Sequence, residues 1–294
     1  MWRVAGVIAA SGALMLSGCA NNSDSGTSGT ATTAATAEKV DSIANTVPDP
    51  IKSSGKLIVG TDPTYAPNEF KDPNGKIIGF DVDLMNAIAA TLGLTPEYRP
   101  SAFDKIIPSV QGGSYNVGMS SFTDSKEREQ QVDFVTYFQA GSAWAQKVGA
   151  GINPDDACGK RVAVQTATVQ DTNEMPARNA KCAKEGKPAI AVLKFDDQSA
   201  ATNAVMLGQA DAMSADSPVT AYAIKQSDGK LEQVGEIFDS APYGWVVPKG
   251  SPLAQSLQKA LEHLIQTGAY KQVAANWGAE KGLIDKPVIN GATS

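Results

Sequence analysis

A single histidine among 294 residues removes most histidine chemistry. No His-rich metal site can form, and a Ser-His-Asp triad would have to use His263. Three cysteines cannot complete a zinc ribbon. Positive charge is also short: 25 Lys and Arg face 31 Asp and Glu, a formal charge of −6, so the basic footprint of a nucleic-acid binder is missing. Beyond the first twenty positions no run of about 18 apolar residues occurs, which removes the usual signal for a membrane-spanning helix. The P-loop, dinucleotide, nucleophile-elbow and HExxH motifs are all absent, and no two carboxylates stand out as a glycosidase-like pair. The sequence therefore points to no catalytic set, no metal site and no cofactor. What is present is 42% hydrophobic and 19% charged residues, the composition of a globular chain with a real core, long enough for one large domain or two.

Residues 1–19 read MWRVAGVIAASGALMLSGC. One cation, Arg3, precedes an apolar stretch too short to span a bilayer comfortably, and small residues then lead into Cys19. This ending resembles the bacterial lipoprotein signal, in which the cysteine is acylated and becomes the mature N-terminus. The alternatives are an ordinary secretory signal or a buried apolar helix. Residues 1–18 are thus expected to be a signal peptide and Cys19 a lipidation site. Residues 19–53 are dominated by Ala, Thr, Ser, Gly and Asn and are expected to form a flexible tether, with a reach of roughly 30 Å for about 30 residues. With Cys19 lipidated, Cys158 and Cys182 remain as an even pair in an exported protein. Such a pair is expected to be bridged, closing a loop of about 25 residues. Neither has the CxxC spacing or the histidine partner of a reactive thiol.

The body alternates strand and helix. Residues 56–61 (KLIVGT) and 76–80 (KIIGF) read as strands, the second after the turn Asp72-Pro73-Asn74-Gly75. Asp81 can cap a helix that ends near Gly93, and residues 103–111 carry a second helical pattern that stops at Gly112-Gly113. Strands at 161–165, 190–195 and 211–214 alternate with helices at 170–183 and 199–207. Leu253, Leu257, Leu261, Leu264 and Ile265 form a later helical stripe, with His263 on its polar side as a solvated surface residue. Alternating units of this kind predict α/β sheets with helices on their faces.

Six further segments carry a more specific signal. DPTYAP at 62–67 follows the first strand; GFDVDL occupies 79–84 and FDKIIP 103–108. SSFTDSKER runs over 120–128, ahead of VDF at 132–134, and DAMSAD and GAY lie at 211–216 and 268–270. In this order, from about Gly55 to Trp277, the chain resembles the family 3, polar amino-acid-binding proteins of bacterial ABC importers, including the glutamine- and lysine/arginine/ornithine-binding proteins. The resemblance implies a two-lobed periplasmic-binding-protein-like α/β fold (type II), with a two-strand hinge and a ligand cleft between the lobes. Lobe 1 is expected at 54–137 plus 244–288, lobe 2 at 143–239, and the hinges at 138–142 and 240–243.

Carried over residue by residue, the resemblance makes Arg128 the partner of the ligand α-carboxylate, since a guanidinium offers two parallel donors to a planar anion. Read alone, Arg128 would be a surface ion pair with Glu127 or Glu129. Asp216 would receive the α-ammonium, or cap the helix that follows it, or both. The backbone around Ser120 and Ser121 and the Thr123 hydroxyl would add contacts to the ammonium, while Tyr65 and Phe103 would sandwich the ligand side chain. Without the resemblance those two aromatics would be core. Ala167 and Thr168 fall where the family opens a helix whose free N–H groups favour a carboxylate. Ala167 occupies a slot usually held by glycine, Asn68 one usually held by phenylalanine, and Ser125 one usually held by threonine.

An acidic ligand would need a second cation, and the matched positions offer none besides Arg128. Asp62 can accept hydrogen bonds from a distal ammonium, guanidinium or amide, and Gln165 can serve an amide. A basic amino acid is therefore favoured, with glutamine next. The expected function is non-enzymatic: a monomer, held to the extracytoplasmic face of the cell membrane by its lipid alone, delivers a free amino acid to an ABC permease with a cytoplasmic ATPase. An amino-acid sensor for a signalling partner, and a cyclohexadienyl-dehydratase-like enzyme on the same fold, are the alternatives.

Overall fold

The computed structural model describes residues 37–293. The signal segment, Cys19 and the first part of the expected tether lie outside the described residues. The later part of that tether departs from expectation. Residues 37–53 are folded onto the body through two short helices, α1 (Asp41–Ala44) and α2 (Asp49–Ser54). Ala44 and Val47 are buried, and Ile43 and Ile51 pack against the main core. Ser256 Oγ donates to the Thr46 carbonyl at 2.8 Å. These four apolar side chains within nine residues give the stretch a local anchor, which an average over the whole Ser/Thr/Ala-rich segment conceals.

The chain continues through β1 (Lys56–Thr61) into a small antiparallel sheet of β2 (Thr64–Tyr65), β3 (Glu69–Lys71) and β4 (Ile77–Ile78). The strand expected at 76–80 is thus cut to two residues, because α3 (Phe80–Thr91) begins at once. Gly79, not Asp81, stands at its N-cap. Its φ is 140°, and a Cβ there would lie 2.0 Å from the Asn68 carbonyl oxygen, so only glycine fits. Asp81 lies in the first turn, fully buried. Next come β5 (Thr95–Pro100), α4 (Phe103–Gln111), β6 (Val117–Gly118), α5 (Lys126–Glu129) and the long β7 (Val132–Lys147).

After a 3₁₀ turn at Pro154–Asp156 the chain forms β8 (Arg161–Gln165) and a π-helical turn, Gln170–Glu174, that leads into α6 (Met175–Lys184). Then follow β9 (Ala191–Phe195), α7 (Gln198–Met206), β10 (Ala212–Asp216), α8 (Ser217–Gln226) and the long β11 (Leu231–Pro248). Helices α9 (Leu253–Thr267) and α10 (Ala269–Trp277) return to the first half, where Leu253, Leu257, Leu261 and Leu264 are buried. No helix among the described residues is long and apolar enough to cross a membrane.

One eight-stranded sheet runs through the body in the order β5-β1-β6-β11-β7-β10-β8-β9. Strands β7 and β11 are its antiparallel centre and pass through both halves, from Lys147↔Leu231 at one end to Val132↔Pro248 at the other. Their register is irregular between Val234 and Phe238, Phe238 and Ala241, and Tyr243 and Gly244. On one side β5, β1 and β6 are parallel; on the other, β10, β8 and β9 are. Each half has core on both sheet faces, because successive strand residues point opposite ways. Trp144, Val162 and Val164 join one cluster while Ala145 and Ala163 join another. In the first half, α3, α9 and α10 cover one face and α4 the other.

Cys158 and Cys182 form a disulfide across 24 residues, tying the chain ahead of β8 to α6. Closing a loop of this size contributes about 3.5 kcal/mol in the chain-entropy picture. Replacing both cysteines with serine is expected to lower the urea midpoint by an amount equivalent to about 3.5 kcal/mol. Equal midpoints for the wild type under oxidising and reducing conditions would show that the bridge adds nothing.

Candidate functional site

Strand direction puts the polar residues together. β6 is antiparallel to β11 and β10 is antiparallel to β7, so both parallel sets run inward toward the middle of the long pair. β10 ends with Asp216 opposite Ser142, and the loop after β6 reaches the same zone through a Thr123–Tyr243 bridge. The carboxyl ends of β1, β6, β8 and β10 carry Asp62, Ser120–Thr123, Gln165–Thr168 and Asp216 respectively. In open α/β sheets ligands bind outside the carboxyl ends of the strands, where the loops converge.

A small cavity lies there, lined by Tyr65, Phe103, Ser120, Ser121, Thr123, Arg128, Thr168 and Asp216, with Val169 and Gln170 completing its wall. Its volume is about 10 Å³, room for about one water molecule, so any larger occupant must push the two walls apart. Three of the expected residues do not line it. Asp62 and Gln165 meet each other instead, with Gln165 Nε2 donating to Asp62 Oδ2 at 2.6 Å. Ala167 turns to the neighbouring hollow that Arg128 also borders. A separate hollow of about 250 Å³ between Thr64 and helices α7 and α8 contains no charged residue, which leaves a zwitterion nothing to grip.

Arg128 makes neither of the ion pairs that a surface reading suggests. Ser125 caps α5, accepting the Arg128 N–H at 3.3 Å, and the side chain turns inward. Its guanidinium donates to the carbonyls of Thr123 and Ala167, each at 2.9 Å, and lies 5.7 and 5.6 Å from the ring centres of Phe103 and Phe122. Phe103 and Phe122 themselves stack at 4.3 Å. Burial lowers the Arg128 pKa to about 10, which leaves it charged at neutral pH.

Asp216 occupies the N-cap position of α8, but its carboxylate makes no capping bond. Oδ2 accepts from Tyr243 OH at 2.7 Å and Oδ1 from Gln170 Nε2 at 2.8 Å. Burial pushes its pKa up, opposed by those donors and by Arg128. Tyr65 reaches across to this strand end, where its hydroxyl accepts the Asp216 N–H at 3.3 Å, and its ring packs on Ala215 and Val219.

Asp62 is 2% exposed, and burial raises its pKa to about 6 against the donors Thr64 and Gln165. Gln165 Nε2 also donates to the Asp196 carbonyl at 2.9 Å, while its Oε1 is buried with no partner among the described residues. A buried acceptor of this kind suits a ligand that brings donors. At the helix opening the expectation needs correction. Ala167 has φ 64° and its N–H donates to Asp171 Oδ2 at 3.0 Å, so that amide is already committed and is not free for a carboxylate. The Thr168 hydroxyl donates to the Gln165 carbonyl at 2.8 Å.

Gln170, Val169 and Tyr243 are neighbours of the site that the sequence did not single out. Gln170 reaches Asp216 because the π turn widens the helix start. No one-dimensional pattern marks such a turn.

Residues 57–280 match the sequence profile of the bacterial extracellular solute-binding proteins, family 3. The arginine-binding protein ArgT of Corynebacterium glutamicum is 39% identical over 287 residues, covering 97% of this chain and 93% of the relative. An ancestral arginine-binding protein solved with arginine bound is 38% identical, with a TM-score of 0.69 over 76% of this chain and 98% of that one. An ancestral arginine-binding protein bound to glutamine is similar at 37% identity and a TM-score of 0.69, covering 77% and 99% of the two chains. The sheet order, the cleft at the strand ends and these likenesses agree: the chain belongs to the bacterial extracellular solute-binding proteins, family 3, with their two-lobed α/β architecture.

Proposed function

We propose that the protein is the substrate-binding lipoprotein of an ABC amino-acid importer, and that it captures a basic amino acid, arginine first, by closing two lobes over it. The observation that carries this reading is the meeting of Arg128 and Asp216, from opposite halves, on the wall of one small buried cavity. A zwitterion presents an anion and a cation a fixed distance apart, and a fixed cation and anion in a water-poor site complement it.

In this reading Arg128 exchanges its two carbonyl acceptors for the ligand α-carboxylate. Asp216, oriented by Tyr243 and Gln170, takes the α-ammonium with help from Ser120, Ser121 and Thr123. Tyr65 and Phe103 flank the side chain, and Thr168 borders the carboxylate end. Asp62 and Gln165 part to receive the distal group. A guanidinium suits them, because it can donate to the Asp62 carboxylate and to the orphaned Gln165 Oε1 together. The arginine-binding relatives support that choice, and the glutamine-bound one keeps an amide ligand next in line.

The lobes are assigned to 54–137 plus 244–288 and to 143–239, with residues 37–53 docked on the first. The hinges are assigned to 138–142 and 240–243, where the register of the long strands is irregular. Closure expels water, strengthens the charge pairs and creates a surface that a permease can recognise. Lipid on Cys19, facing the extracytoplasmic side, would hold a monomeric receptor beside that permease. The reading involves binding alone, with no bond chemistry.

Refolded, ligand-free protein is expected to show an increase of about 8–16 °C in thermal midpoint with arginine at about a thousand times its dissociation constant. Lysine, ornithine and glutamine should give smaller increases, and glutamate none. Arg128→Ala and Asp216→Ala should abolish the increase while unfolding cooperatively; normal binding by either variant removes its assigned role.

The raised Asp62 pKa generates a second expectation. A cationic side chain needs the carboxylate, which is ionised above about pH 6 and protonated below. Arginine affinity should therefore hold at neutral pH and fall by about tenfold per unit below about pH 6. Asp62→Asn should weaken arginine binding by about 30-fold or more, remove that pH dependence and leave glutamine binding largely intact. An unchanged pH profile in Asp62→Asn would show that Asp62 does not meet the distal cation.

A further inference from the structure

Glu69 and Asp81 are acids buried at 0% exposure beneath the cleft, and nothing in the ligand-binding reading uses them. Glu69 lies on β3 and Asp81 in the first turn of α3. Their segments are joined by backbone bonds: the Phe80 and Asp81 N–H groups donate to the Pro67 and Asn68 carbonyls at 3.0 and 2.9 Å. The close approach that Gly79 permits makes this possible.

Both carboxylates sit against one hydroxyl, with Ser121 Oγ 3.2 Å from Glu69 Oε2 and 3.4 Å from Asp81 Oδ2, and two like charges this close in a water-poor site repel unless one acid carries a proton. Asp81 Oδ2 accepts from Tyr137 OH at 2.5 Å and from the Ser121 N–H at 3.3 Å, with Ser121 Oγ at 3.4 Å. Asp81 Oδ1 is buried and lacks a donor among the described residues, an acceptor left open to a proton held by the pair. The charged groups that act most strongly on Glu69 are Asp81 and Asp62, both acids, and Tyr65 also faces it. Burial, followed by the Asp81 charge, holds Glu69 well above the usual carboxylate range.

Immediately above the pair sit two residues of the cavity wall. Ser120 Oγ accepts the Asp62 N–H and donates to Glu69 Oε1, both at 3.1 Å. Ser121 Oγ lies 3.2 Å from Glu69 Oε2 and accepts from Asn68 Nδ2 at 2.9 Å. Ser121 has φ 49°, the left-handed region that a non-glycine residue keeps only where its surroundings over-determine it. The Asp81 carboxylate does so by holding the Ser121 N–H itself.

We propose that Glu69 and Asp81 share one proton and, as this singly ionised pair, position Ser120 and Ser121 for the ligand without touching it. The positioning role rests on the reading of the cleft as an amino-acid site. Two measurements on the full chain test it. Infrared difference spectra in D₂O at pH 7 are expected to show a buried carboxylic-acid C=O band in the wild type that is lost in Glu69→Gln. In calorimetric titration with arginine, Glu69→Gln keeps a donor toward Asp81 and an acceptor for Ser120, and should bind within about threefold of wild type. Asp81→Asn loses the charged acceptor of the Ser121 N–H and should bind about 10- to 100-fold more weakly while unfolding cooperatively.

A difference spectrum without the acid band overturns the proposal, and so does equal weakening by both variants. Should one variant fail to fold, the other still tests the pair, because each alters the same acid band. Failure of the wild type to bind any amino acid is a different result. It overturns the reading of the cleft, whereas proton sharing is read from the infrared band alone.

Discussion

Strands β7 and β11 belong to both halves of the molecule, and the cleft follows from that sharing. Because the two are antiparallel and extend from one half into the other, each parallel set that pairs with them must run toward the middle. Loops after parallel strands carry the backbone groups and side chains that no ladder consumes, and here two sets of such loops face each other. The same pair is the main sheet connection between the halves. Its ladder is irregular near the middle, the place at which the hinge is proposed.

Burial of polar groups sets the chemistry of the cleft. A charge removed from water must find partners or change its protonation state, and the protein uses both solutions. Glu174, deep in the second half, is fully partnered: Trp144 Nε1 and Ser214 Oγ each donate at 2.6 Å, and Arg178 Nε at 2.7 Å. Arg178 in turn lies 5.0 Å from the ring centres of Trp144 and Phe238. That network shows a buried acid in its settled form. Asp62 and Asp216 differ, since neutral amides and hydroxyls are their donors and burial drives both upward. These are the two acids that the proposed function assigns to the cationic groups of a ligand. The π turn serves both arrangements, with Gln170 at one end on Asp216 and Glu174 at the other in the network.

Much of the architecture was legible in the chain. The strand at 161–165 and the helix at 103–111 occur where the periodicity puts them, and the disulfide joins the two cysteines left after Cys19. Such features depend on near neighbours or on counting. The misreadings share another origin. Residues 37–53 look like linker until Ile43, Val47 and Ile51 meet the first-half core. Asp81 looks like a helix cap because caps are common where Asp precedes an apolar run, yet Gly79 takes that place and the acid is drawn inward by Tyr137.

What the amino-acid sequence determined by itself is the alternation of strands and helices, the supply of acids and of Arg128, and the order of segments that identifies the family. Periodicity and residue type are local properties, so one dimension contains them. What only the tertiary structure decided is which polar groups lose water and whom they then meet. Gln165 reaches Asp62 across 103 positions, and the Arg128 guanidinium meets the Ala167 carbonyl across 39. Desolvation and hydrogen bonding act over a few ångströms of space, and separation along the chain has no bearing on either.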